Sequence, residues 1–181
     1  MPILTFDDGP DPVFTPRILD VLAAHGVRAT FFCVGAAARR HPELVRRIAA
    51  GGHVVGHHSL THPHARGTNP IGLVRDWWRG RIAVAEALGA PVERFRPPYG
   101  ELGRSGRIAA AVLRLRPELW DVDSGDWRPG ATAERIADAI LGAGEGAVVL
   151  LHDGAFDPVE ESCRDRSATV EGVRLALRRG G

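Results

Sequence analysis

The chain has 181 residues, 44% of them hydrophobic, with a formal net charge of +1, enough apolar content for one good core and a single domain over residues 1–181. All 23 basic residues are arginine and none forms a run with interleaved aromatics, so no nucleic-acid partner is implied. No apolar run suits membrane insertion; with no signal peptide the chain reads as cytoplasmic as written, or secreted if a leader has been removed.

Strand-like and helix-like segments alternate. Ile3 to Phe6 reads as a short buried strand, ending in a sharp turn at Gly9-Pro10. Thr15 to His25 has helical spacing, with Ile18, Leu19 and Leu22 on one face and Gly26 as the stop. Ala29 to Val34 reads as a second strand, which makes Cys33 a free core thiol rather than half of a disulfide with Cys163. A helix over His41 to Ala50 and a short strand over His53 to Gly56 follow. Pro70 to Leu88 is a long helical pattern in which Trp78 spaces with Val74 and Ile82 on the inner face, while Trp77 is ambiguous. Then come a strand at Arg94 to Arg96, a helix at Ser105 to Leu115 and a strand at Leu119 to Val122. Thr132 caps a helix running to about Ala143, Ala147 to Leu151 is an apolar strand, and Ser167 to Arg179 is the last helix. Short apolar strands alternating with helices predict an α/β fold, a parallel sheet covered by helices. Pattern alone leaves an open doubly wound sheet and a barrel both standing.

The unusual polar residues fall just after strands, and in such folds the C-terminal strand ends form one rim where sites are built. Asp7 and Asp8 follow the first strand. Read alone they are turn residues before Gly-Pro; as a pair of like charges they persist if a cation takes one and an arginine the other. His58 and His62 are four apart, so one helical turn would point both rings the same way, and two histidines plus a carboxylate make an open metal site. His53, His57 and His64 compete as ligands, but His53 lies in the strand and His57 points away, which suits structural roles better. Arg96 precedes Pro97-Pro98 and is held extended; beside a catalytic carboxylate it would orient it and keep it ionised. His152 ends a buried strand abruptly, as a general acid or base partnered by a residue such as Asp126 would. Trp127 and Tyr99 either wall a sugar site or close the barrel end.

Thr5-Phe6-Asp7-Asp8-Gly9-Pro10, His58-Ser59-Leu60-Thr61-His62, Arg96-Pro97-Pro98-Tyr99-Gly100, Asp123-Ser124-Gly125-Asp126-Trp127 and Leu150-Leu151-His152 resemble, in order, the five motifs of the polysaccharide deacetylase family, the NodB homology domain of carbohydrate esterase family four. Ala29-Thr30-Phe31-Phe32 and Arg166-Ser167-Ala168-Thr169-Val170 also resemble it. The resemblance implies a distorted (β/α) barrel of about seven parallel strands and metal-dependent hydrolysis of N-acetyl groups on amino sugars. It implies Asp7 as general base held by Arg96, and His152 as general acid tuned by Asp126. Asp8, His58 and His62 would bind a divalent metal, zinc before cobalt or nickel, and Tyr99, Trp127 and Leu150 would face the substrate. Two departures stand out. The chain ends at Arg178-Arg179-Gly180-Gly181 where relatives continue into a last strand, so the barrel is expected to be incomplete there. An acidic segment, Asp153 to Asp165 with Pro158, Glu160, Glu161 and Cys163, replaces a short Gly-rich link.

The partner this implies is an N-acetylated glycan: chitin oligomers, peptidoglycan or a related polymer. The alternatives are a deacylase or deformylase of a small-molecule intermediate, an acetyl-ester hydrolase and, last, an inactive glycan-binding domain. Oligomeric state stays open.

Overall fold

A computed structural model of the protein describes residues 1–156 and 160–180. Five parallel strands, β1 (Ile3–Asp7), β2 (Thr30–Cys33), β3 (Val54–His57), β4 (Val122–Asp123) and β5 (Val148–His152), form one sheet in the order β3-β2-β1-β5-β4. β1 is central and pairs with β2 and β5, which are covered by helices and therefore nearly wholly apolar. Phe6 of β1 stacks on Phe31 of β2 with ring centroids 4.9 Å apart.

The ladder continues past β3 as two isolated parallel bridges, His57 to Phe95 and Phe95 to Pro117. From Pro117 the chain runs directly to β4, on the far edge of the sheet. Five strands and two bridge positions give the expected α/β fold with a parallel sheet, and among the described residues the barrel is not closed by strand pairing. The strands read at 94–96 and 119–122 are shorter than their composition suggests. The first is a single bridging residue, Phe95, and the second is displaced, β4 holding Val122 of the expected stretch and Asp123 beyond it. Pro97 and Pro98 lack the N–H a ladder needs, which stops pairing just after the Phe95 bridge.

Among the described residues seven α-helices accompany the sheet: α1 (Phe14–Ala24), α2 (Gly35–Arg40), α3 (Pro42–Ala50), α4 (Pro70–Leu88), α5 (Gly103–Leu113), α6 (Ala133–Gly142) and α7 (Ser167–Gly180). The short α2 has no counterpart in the sequence reading, because six residues are too few to display a helical period. Thr132 caps α6 as expected, accepting from Arg135 N at 3.4 Å. The assignment of Trp78 to the core is wrong. Trp77 is fully buried and Trp78 is 53% exposed, because α4 turns the stripe Leu73, Trp77, Gly80, Val84, Ala87 inward. A second small core forms there from Leu73, Trp77, Phe95 and Ala109. Cys33 and Cys163 are both buried and free. No strand follows α7 among the described residues. Of the acidic segment, Asp157, Pro158 and Val159 lie outside the described residues, and Glu161–Arg164 form a 3₁₀ turn.

Candidate active site

The strand ends surround a cavity of about 520 Å³ lined by Asp7, Asp8, His58, His62, Tyr99, Trp127, Leu150 and His152, among others. Successive residues of a strand point to opposite faces. Asp7 and Asp8 share one cavity because the chain leaves β1 at Asp8, whose φ is +74°.

Asp7 is buried and accepts from Arg96 Nη1 at 2.9 Å. Arg96 is itself fully buried and committed on every side. Nη1 also donates to Thr5 Oγ1 at 2.8 Å, Nε to the Glu118 carbonyl at 3.1 Å and Nη2 to the Leu119 carbonyl at 3.1 Å, with the guanidinium 4.3 Å over the Phe32 ring. These bonds tie the single-bridge position to its neighbour, where backbone pairing is sparse. Burial raises the Asp7 carboxyl, and the charge and hydrogen bond of Arg96, with the charges of His152 and His62, act the other way and offset this only in part. A raised carboxylate is a better proton acceptor.

Asp8 Oδ1 is buried without a hydrogen-bond donor, 3.2 Å from His62 Nε2 and 3.7 Å from His58 Nε2. His58 Nδ1 donates to the Arg96 carbonyl at 2.7 Å; a carbonyl only accepts, so the proton sits on Nδ1 and Nε2 presents its lone pair. Ligand atoms of Asp8, His58 and His62 all lie within 4.8 Å of one another. One carboxylate and two imidazoles converging on one point, with a buried oxygen lacking a donor, fit a divalent cation.

The turn that carries the two histidines is not the helical one expected. Ser59 (φ 68°) and His62 (φ 56°) are left-handed, and His62 N donates to Ser59 Oγ at 2.9 Å. Asp76 of α4 accepts from Leu60 N at 3.0 Å and from Thr61 Oγ1 at 2.6 Å. A Cβ on Gly80 would lie 2.2 Å from the Ser59 carbonyl carbon, so glycine lets α4 sit directly against this loop. The other histidines fall outside the cluster. His57 stacks on Phe95 at 4.7 Å with both ring nitrogens buried and unpartnered, and burial, then Arg81 and His58, pushes it down to about 3. His53 precedes β3 rather than lying in it, and its Nδ1 accepts from Ala29 N at 3.2 Å. His64 stacks flat on Tyr99, with centroids 3.7 Å apart.

His152 ends β5 in register with Asp7, on the adjacent strand. Its Nδ1 donates to Asp126 Oδ1 at 2.7 Å, which leaves Nε2 for the cavity. Burial lowers the imidazolium, but the Asp126 charge and hydrogen bond, with Asp8 and Asp7 behind them, raise it to about 9. Asp126 is buried and its Oδ2 accepts from His152 N at 2.8 Å and Thr169 Oγ1 at 2.9 Å. Buried Arg166 donates to the Asp126 carbonyl at 3.0 Å and the Gly154 carbonyl at 2.9 Å. Thr169 and Arg166 fall within one stretch quoted for the family resemblance, with no role at Asp126 given to either. A threonine on the inward apolar stripe of α7 is the signal the sequence offers for Thr169; for Arg166 local pattern offers none.

Tyr99 (φ 58°) lies edge-on to His62 at 4.4 Å. The Trp127 indole donates to Asp123 Oδ1 at 3.2 Å, and Leu150 lines the cavity between the walls. Trp120, a wall residue absent from the sequence reading, joins them.

Residues 1–117 match the family model described as Polysaccharide deacetylase. The chain is 44% identical over 154 residues to the chitooligosaccharide deacetylase of Sinorhizobium fredii, covering 83% of this chain and 71% of that one. It is 40% identical over 155 residues to a peptidoglycan-N-acetylglucosamine deacetylase of Bacillus cereus, covering 82% and 54% respectively. Its fold matches that of a family 4 carbohydrate esterase from Streptomyces lividans with a TM-score of 0.82 and 35% identity, over 98% of this chain and 87% of that one. The chain belongs to the polysaccharide deacetylase family, the metal-dependent hydrolases of carbohydrate esterase family four.

Proposed function

We propose that the protein hydrolyses the N-acetyl group of N-acetylglucosamine units in a glycan, with Asp7 as general base and His152 as general acid. The observation that carries the reading is that Asp7 and His152, register partners on adjacent strands, are each buried against an opposite charge, Arg96 and Asp126. A pair of titratable groups whose surroundings set them to opposite proton duties is the mark of acid–base chemistry.

Asp8, His58 and His62 would hold the cation. Zinc suits two imidazole nitrogens and one carboxylate with positions left open, while cobalt and nickel accept the same donors. When bound there it supplies Lewis acidity to the acetamide oxygen and the attacking water. Asp7 takes the proton of that water as the new C–O bond forms. The Tyr99 backbone N–H donates to the carbonyl oxygen as negative charge develops. His152 then gives its Nε2 proton to the departing nitrogen as the C–N bond breaks, releasing acetate and a free amine. Arg96 and Asp126 orient the base and the acid. Leu150 supplies an apolar wall for the acetyl methyl, and Trp127 and Tyr99 offer faces to sugar rings.

A glycan is favoured over a small molecule by the open rim with its aromatic walls and by relatives named for chitooligosaccharides and peptidoglycan. Among the described residues no helix is long and apolar enough to cross a membrane. The test is acetate release by the zinc-loaded protein from chitooligosaccharides and peptidoglycan, with O-acetylated xylan and small N-acyl amines as comparators. Release confined to the small amines or to the xylan would sink the glycan amide reading.

A further inference from the structure

Asp153 follows His152, is 1% exposed, and takes no part in the chemistry above. Both of its carboxylate oxygens are engaged by the connection that leads out of β1. Oδ1 accepts from Gly9 N at 3.2 Å and Oδ2 from Thr15 Oγ1 at 2.5 Å. Its backbone N donates to the Asp7 carbonyl at 3.1 Å. Thr15, also fully buried, accepts from Asp11 N at 2.8 Å, so the same hydroxyl pins the chain on the far side of the turn. The fit is steric as well as polar. A Cβ on Gly9 would stand 2.1 Å from Asp153 Oδ2, and one on Gly154 would stand 2.8 Å from the Asp8 carbonyl oxygen. The end of β5 therefore grips the turn on both sides of Asp8.

That grip has something to hold. Asp8 is a non-glycine residue at φ +74°, a conformation L side chains seldom adopt, and its Oδ1 is buried without a donor. Aspartate tolerates this region better than most residues, but it still prefers negative φ unless the surrounding turn holds it. A chain free to relax would return to negative φ and carry the carboxylate away from His58 and His62.

We propose that Asp153 is a positioning residue for the cation site: through the Gly9 N–H and the Thr15 hydroxyl it holds the turn in the conformation that aims the Asp8 carboxylate at His58 and His62. This rests on the reading of Asp8, His58 and His62 as cation ligands. Groups that orient a ligand typically contribute about 10–100-fold to metal affinity. The effect of Asp153 falls in that range and below the effect of deleting a ligand, because both imidazoles remain.

The experiment measures zinc affinity of the apoprotein by competition with a chelating dye, together with the rise in Tm that zinc produces. Asp153→Ala weakens zinc binding by about 10–100-fold and shrinks the Tm rise. Asp153→Asn, which still accepts from Gly9 N and can donate to the Thr15 hydroxyl, stays within about threefold of the native protein. Thr15→Val, which removes one anchor and keeps the shape, falls between them and decides the matter if Asp153→Ala does not fold. A lower apoprotein Tm with zinc affinity unchanged in Asp153→Ala and Thr15→Val would make Asp153 a merely structural residue and overturn the proposal. His62→Ala runs alongside. If its affinity is unchanged too, the ligand assignment itself is wrong and the proposal goes with it; if only His62→Ala loses zinc, the assignment stands and Asp153 alone is refuted.

Discussion

His152 Nδ1 stands 2.7 Å from Asp126 Oδ1, and the second oxygen of the same carboxylate accepts from the His152 backbone N at 2.8 Å. One buried carboxylate thus fixes both the ring and the main chain of the same residue. The imidazolium is lowered by burial but raised more by Asp126, to about 9. A general acid works while protonated, so activity falls on the alkaline side as the ring loses its proton. Asp126→Asn removes the charge that raises the ring and leaves the burial that lowers it, moving the alkaline limb to lower pH. A bound dication depresses the ring in both proteins, so the difference between the two profiles is the readout. Superimposable limbs would remove Asp126 from this role.

Loss of the acid should depend on the leaving group. His152→Ala is expected to lower kcat on an N-acetyl amide by roughly 10²–10⁴-fold, since the amine leaves poorly without a proton. An activated aryl acetate, whose phenolate departs unaided, should lose far less. Equal losses on purified variant protein would assign His152 to binding or structure.

Asp7 and Asp8 are adjacent in sequence and differ in engagement, although Asp7 Oδ2 also lies 3.7 Å from His58 Nε2. Asp7 faces Arg96 at 2.9 Å, while Asp8 Oδ1 faces the two histidines. Asp7→Asn is expected to keep zinc and lose about two or more decades of kcat, as a missing base does. Asp8→Asn should weaken zinc binding itself. Metal content and kcat measured on both variants separate the roles, and the reverse pattern would exchange them.

Among the histidines, position decides. His62→Ala should sharply reduce zinc content, and chelation should abolish activity that zinc or cobalt restores. His57→Ala should retain zinc, because its ring packs on Phe95 rather than facing the cluster. Its cost is a cavity, about 2–4 kcal/mol of stability by analogy with other large-to-small core changes. Equilibrium unfolding and metal analysis of the two variants test this; full zinc in His62→Ala would refute the ligand set.

Arg96 is bonded to Asp7, Thr5, Glu118 and Leu119. Arg96→Met leaves the Asp7 carboxylate buried and unpaired, a change that costs about 3–5 kcal/mol in comparable buried pairs. It also pushes Asp7 further up, so the acid limb of activity should move to higher pH. Chemical denaturation and a pH profile of the surviving activity check both effects.

The order of strands and helices, the rim residues Asp7, Asp8, His58, His62, Arg96, Asp126 and His152, and the family itself are legible in the chain as a string. Burial imposes a local period on short apolar strands and amphipathic helices, and a chemical site needs particular residue types just after them. What the string could not carry is how distant pieces meet. Trp77 and Trp78 are adjacent and chemically alike, and only the packing of α4 against Phe95 selects the first. His58 and His62 have helical spacing, yet Asp76 and Gly80 impose a left-handed loop. Thr169 reaches Asp126 across 43 residues and Asp153 reaches Gly9 across 144. Hydrogen-bond partners so far apart, and a positive φ such as that of Asp8, leave no periodic trace, because they are set by the closure of the fold around them and not by the residues themselves.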